Sequence, residues 1–121
     1  MTLFRQGDFT LHSGSKSWLK IDCDALTDDD WATLAIAVYE HGIKFRRVIG
    51  VPQGGLKFAY ALEPYRFPNP EYPVLIVDDV MTTGNSMEEM RAKYPGSIGV
   101  VVWARGRCPD WIEPINRYWE D

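Results

Sequence analysis

The sequence predicts an α/β fold in which a parallel sheet is flanked by helices on both faces. Three observations carry that expectation. The runs "RRVIGVP" (46–52), "VLIV" (74–77) and "IGVVVWA" (98–104) have apolar cores without polar alternation, as strands buried on both faces do. Segments with helical spacing or helix-end residues separate them, and a strand–helix–strand order calls for a parallel sheet. Two glycine-bearing turns, "PQGG" and "DDVMTTGNS", directly follow strands, and ligands of such sheets sit beyond the strands' carboxyl ends.

Taken in order, "FTLHSGSKSWLKID" (9–22) holds two short β-prone runs around Ser, Gly and Lys, which predicts a hairpin. Thr27 then caps a helix whose first turn carries Asp28, Asp29 and Asp30, acids that the helix dipole favours there. Trp31, Leu34, Ala35 and Val38 keep the helical apolar spacing, and Gly42 marks the stop. After the 46–52 strand, "QGG" turns the chain into the helix "LKFAYAL". "EPYRFPNPEYP" (63–73) contains four prolines and reads as an irregular connection. The strand "VLIV" leads to a helix from Asn85 to Lys93, ended by Tyr94-Pro95-Gly96, and "IGVVVWA" is the last strand that the pattern defines. The tail "CPDWIEPINRYWED" has apolar residues of weak periodicity, and its structure stays open.

With 121 residues the chain is expected to form one domain, a hairpin at about 9–22 and a core at about 27–121. A net charge of −4 and a pI near 5.1 argue against a general grip on nucleic acid, which needs a basic face. No apolar run approaches membrane length, and polar residues follow Met1, so a cytoplasmic protein is expected. Cys23 and Cys108 lack metal-type spacing, and two unpaired thiols are the plainer reading.

The stretch "VLIVDDVMTTGNS" (74–86) concentrates the chemistry. Asp78 and Asp79 close a strand, where successive side chains point in different directions. They suit hydrogen bonds to vicinal hydroxyls of a sugar. Thr82, Thr83, Gly84, Asn85 and Ser86 offer consecutive backbone N–H groups and hydroxyls at a helix N-terminus, an arrangement that binds phosphate. Gly84 lets the backbone come close. The competing account is internal: the acids cap the turn, and Asn85 with Glu88 forms a capping box. "VLIVDD" also suits a phosphoacceptor receiver domain, but too little chain follows for that domain's later strands and lysine.

These thirteen residues resemble the phosphoribosyl pyrophosphate (PRPP) signature of type I phosphoribosyltransferases. "GDFTLHSGSKSWLKID" is similar to the hood hairpin of the orotate phosphoribosyltransferases, "VIGVPQGG" to their pyrophosphate loop, and "VVVWARGR" to the strand and arginine after the PRPP helix. The resemblance implies a Rossmann-like type I phosphoribosyltransferase core beneath a small N-terminal hood. It implies that Asp78 and Asp79 hold ribose hydroxyls and are the catalytic pair, and that Thr82, Thr83, Gly84, Asn85 and Ser86 hold the 5-phosphate. Pro52, Gln53, Gly54 and Gly55 would form the pyrophosphate loop. Arg105, His12, Ser13, Gly14 and Ser17 would contact the base, with His12 standing where the family has lysine. A magnesium ion would be held mainly by substrate and water, with Asp78 or Asp79 as its nearest protein groups. PRPP and a nitrogenous base would be the partners. A homodimer is expected from the family habit and from five tryptophans in a small domain.

One departure divides the functional reading. The relatives place a strand and a long flexible loop, with catalytic lysine and histidine, before the PRPP strand. Here only "LKFAYALEPYRFPNPEYP" intervenes, with no Lys or His after Lys57. That loop is a lid that excludes water. Tyr65, Arg66 and Tyr72 are candidate substitutes, with proline-rich packing as the other role for both tyrosines. Two functions stay open: a reduced but active phosphoribosyltransferase, or a non-catalytic module that binds PRPP or a nucleotide.

Overall fold

The computed structural model describes residues 4–10, 16–21 and 25–118. Strands β1 (Phe4–Thr10) and β2 (Lys16–Ile21) form an antiparallel hairpin. It begins five residues earlier than the sequence pattern suggests, since 4 rather than 9 opens it. Its register shifts between Gln6 and Phe9, where β1 carries one residue more than β2, a bulge.

The core follows as α1 (Asp28–Glu40), β3 (Arg47–Gly50), α2 (Leu56–Leu62), β4 (Val74–Met81), α3 (Asn85–Lys93), β5 (Ile98–Arg105) and β6 (Ile112–Tyr118). Four parallel strands lie in the order β3-β4-β5-β6. The alternation of the strands divides the core in two. Leu75, Val77, Val100 and Val102 face α1 and α2, meeting Trp31, Ala35, Val38, Phe58 and Leu62. Val74, Ile76 and Val101 face the other way, onto Met87 of α3. Helix α1 starts as its sequence dictates: the Thr27 hydroxyl accepts the Asp30 N–H at 3.2 Å, and the Asp30 carboxylate accepts the Thr27 N–H at 2.8 Å.

Two connections are unusual. The chain moves the same way across the sheet from β3 to β4 and from β4 to β5, yet α2 and α3 cover opposite faces. The two crossovers are therefore of opposite hand, and one has the rare left hand. The second is the return from β5 to β6. Parallel neighbours usually need a dozen or more connecting residues, but here 106–111 suffice, carrying the chain from Arg105 back to the level of Gly99. That return is about 20 Å, which leaves six residues little slack. The tail thus adds a fourth parallel strand that its composition conceals.

Helix α2 runs back from the carboxyl edge of the sheet, so the 63–73 connector lies at the amino edge. Its contacts agree: the Phe67 N–H donates to Phe45 O at 2.8 Å, and the Arg46 N–H to Pro73 O at 3.0 Å. Tyr65 meets Tyr39 at a tilt, Tyr72 meets Phe67 edge-on, and Arg66 pairs with Glu63 at 2.8 Å. The expectation that Tyr65, Arg66 or Tyr72 replaces the lid is corrected on this ground, because all three sit at the wrong end of the strands.

Candidate ligand-binding site

Three segments meet at the carboxyl edge of the sheet: the turn 51–55 after β3, the end of β4 with the following turn to 86, and the end of β5. The first turn is drawn onto β4 by the Val51 N–H, which donates to Val77 O at 2.9 Å, and it closes through the Gly55 N–H on Val51 O at 2.8 Å. The Pro52–Gln53 peptide is cis. Gly54 brings this turn against the acidic pair: a Cβ added there would lie 2.5 Å from both carboxylate oxygens of Asp79. Only a residue without a side chain allows that approach.

Strand β4 continues through both aspartates to Met81, past the apolar run that its sequence marks. Pairing with β5 joins Asp78 to Val101 and Val80 to Trp103 but includes no partner for Asp79. Beyond that point Val80 packs toward the α1–α2 side and Met81 toward α3, the reverse of the phase set by Ile76 and Val77. The acidic pair therefore sits at a local break in the alternation. Asp78 is 8% exposed. Burial pushes its carboxyl up to about 8; hydrogen bonding to Asp79 and that neighbour's charge add to the rise, and the Asp79 N–H opposes it. That N–H donates to Asp78 Oδ1 at 2.8 Å, and the Val80 N–H donates to Asp79 Oδ1 at 2.7 Å.

The turn after β4 starts α3 without closing on itself. Its N-cap is Gly84 at φ 85°, a left-handed conformation natural to glycine, and no side chain caps the helix. The first bond within the helix is Glu88 N–H to Gly84 O at 2.9 Å. Asn85 N–H meets Thr83 Oγ1 only at 3.4 Å. The N–H groups of Thr82, Thr83, Gly84 and Ser86 find no acceptor among the described residues. The capping box of Asn85 with Glu88 does not form: Gly84 rather than Asn85 is the N-cap, and Glu88 accepts from the Trp111 indole at 2.9 Å. Free amides at the positive end of a helix are an anion site in waiting.

Arg105 ends β5 half-buried, in register with Tyr118, and so stands at the same edge as the aspartates. Of the hood candidates, Ser17 pairs with Phe9 in β2, whereas His12, Ser13 and Gly14 lie outside the described residues. No group of three or more His, Cys, Asp or Glu converges among the described residues. A magnesium ion would meet at most the two adjacent carboxylates here, which fits a cation supplied largely with substrate oxygens and water. No helix among the described residues is long and apolar enough to cross a membrane. Trp31 is buried, and Trp103 and Trp111 are half-buried against the core.

No protein-family model and no curated protein sequence matches the chain. Solved structures do. The chain is similar to the orotate phosphoribosyltransferase of Aeropyrum pernix at 23% identity and a TM-score of 0.73, over 95% of this chain and 88% of that one. It is similar to the UMP synthase of Leishmania donovani at 24% identity and a TM-score of 0.73, over 95% of this chain but 33% of that one. A purine phosphoribosyltransferase of Pyrococcus horikoshii matches at 21% identity and a TM-score of 0.52, over 77% of this chain and 86% of that one. The chain has the type I phosphoribosyltransferase fold, close in form to the orotate phosphoribosyltransferases.

Proposed function

We propose that the protein is a compact phosphoribosyltransferase that moves ribose 5-phosphate from PRPP to a nitrogenous base and releases pyrophosphate. The observation that supports this most is the open cup of amides at Thr82–Ser86 set beside Asp78 and Asp79. In this reading the amides and the α3 dipole bind the 5-phosphate, and the two acids hold the ribose hydroxyls. The turn Pro52–Gly55, held against Asp79 through Gly54, cradles pyrophosphate with its backbone. Magnesium, when bound near Asp78 and Asp79, neutralises charge on the leaving pyrophosphate. The C1–oxygen bond of PRPP breaks, the electron pair leaves with pyrophosphate, and a ring nitrogen of the base bonds to C1 and loses its proton. In this reading Asp79 steadies the positive charge that develops on the sugar. Arg105 suits a planar anionic group on the base, as a guanidinium does, and His12, Ser13, Gly14 and Ser17 cover that base from the hood. Orotate is the first candidate acceptor, because the chain is close in form to orotate phosphoribosyltransferases.

A second reading is favoured by one observation: the shortened connector lies at the far edge, so among the described residues no segment closes over the cup. On that reading the chain binds PRPP or a nucleotide without efficient turnover. Pyrophosphate release measured with PRPP, magnesium and a panel of bases separates the two. Turnover lost in Asp79→Asn supports the enzyme, while tight PRPP binding without release from any base supports the binder. A homodimer in the cytoplasm belongs to the proposal, and sedimentation that gives only monomer at high concentration removes the dimer.

A further inference from the structure

Glu88 is the acid in the first turn of α3, and its carboxylate is engaged by Trp111. Helical side chains lean toward the N-terminus, so Glu88 lies over the turn that contains Gly84 and Asn85. An acid there is drawn to the exposed amides and to the positive end of the helix. Glu88 does not take that place, because Trp111 Nε1–H donates to its Oε1 at 2.9 Å.

The indole is itself fixed. The Trp111 backbone carbonyl accepts the Gly99 N–H at 2.8 Å, and the Arg91 guanidinium lies 4.7 Å from the ring centroid. Gly99 gives the ring its seat: a Cβ there would stand 2.9 Å from the Trp111 ring and 2.8 Å from the Met87 methyl. Helix α3, strand β5 and the tight return to β6 thus meet at one glycine, and the return positions the indole beside the helix.

We propose that Trp111 is a positioning residue for anion binding: its indole N–H holds the Glu88 carboxylate away from the amides of Thr82–Ser86 and so keeps them free for phosphate. The proposal rests on the reading of this turn as a phosphate site. A phosphate and a carboxylate cannot occupy the same amides, and a released Glu88 would also repel the ligand. Trp111→Phe removes the donor while leaving an aromatic ring for Gly99 and Arg91. Glu88→Ala removes the competing carboxylate and leaves no side-chain acceptor that could reach the amides.

Two readouts test the proposal on the folded protein, with thermal melting to check each variant. Inorganic phosphate and PRPP, titrated calorimetrically, should bind Trp111→Phe about three- to fivefold more weakly than wild type, the size of a charge effect at a helix end. The double variant with Glu88→Ala should regain the wild-type affinity. Exchange of the Gly84, Asn85 and Ser86 amides with water, followed by NMR without ligand, should slow in Trp111→Phe and return to the wild-type rate in the double variant. Unchanged affinity and exchange in Trp111→Phe would overturn the proposal. So would a double variant as impaired as the single one, since a merely structural tryptophan is not rescued at position 88. Failure of wild type to bind phosphate would sink the functional reading alone, because the exchange rates still decide whether Trp111 restrains Glu88.

Discussion

Raising the pH should destabilise the ligand-free protein, and Asp78→Asn should remove that dependence. An ordinary aspartate titrates at 3.8, whereas buried Asp78 holds its proton to about 8. Because the folded value is the higher one, unfolding between these limits releases a proton, and stability falls as pH rises. The stabilisation is complete below about pH 4 and lost on passing through about pH 8. Each pH unit in that window is worth about 1.4 kcal/mol, so the whole interval amounts to ~6 kcal/mol, comparable to the total stability of a small domain. Asparagine stays neutral at every pH and keeps an oxygen to accept the Asp79 N–H. Urea unfolding of both proteins between about pH 5 and pH 9 isolates the effect, since other titrating groups cancel in the difference. The advantage of the variant should grow by about 1.4 kcal/mol per pH unit and level off near pH 8. A difference that stays flat across this range would refute the reasoning.

Gly54→Ala should place a methyl group against the Asp79 carboxylate, 2.5 Å from both oxygens before relaxation. PRPP affinity measured by calorimetry should fall by about tenfold or more, with about 1–3 kcal/mol lost in urea unfolding. Gly84→Ala meets no close atom, its Cβ lying 3.6 Å from the Met81 sulfur, so only the left-handed φ is costly. Urea unfolding should register about 1–2 kcal/mol. Binding of PRPP with magnesium at pH 7 should release protons, because a cation beside Asp78 lowers a pKa that stands at about 8. Titrations in buffers of different ionisation enthalpy should give heats that differ accordingly, and the difference should vanish in Asp78→Asn.

Most of the element pattern was legible because it rests on local chemistry. The Thr27 cap, the apolar run of β4 and the span of α3 each follow from residues within one turn or strand. The tail was not legible, for a physical reason. Strand β6 is an edge strand, so Glu113, Asn116 and Arg117 interrupt its apolar residues, and Pro114 is tolerated where a central strand would reject it. Its return connection is also shorter than parallel pairing normally permits. The position of the connector was deducible in principle, since α2 must run back to the amino edge before β4 can run parallel to β3. The residue types that gather at the carboxyl edge were legible, but their burial and hydrogen bonding were not. The burial of Asp78 depends on cover from distant elements, and the capture of Glu88 joins residues 23 positions apart. No local signal distinguishes that capture from the capping box that the sequence offers between Asn85 and Glu88.

The most direct measurement follows the backbone amide resonances of Thr82 to Ser86 by NMR while PRPP and magnesium are added. Those resonances should move together and saturate, and Asp79→Asn should abolish or greatly weaken the response. Resonances that stay in place at millimolar PRPP, in a protein shown to be folded, would contradict the account at its centre.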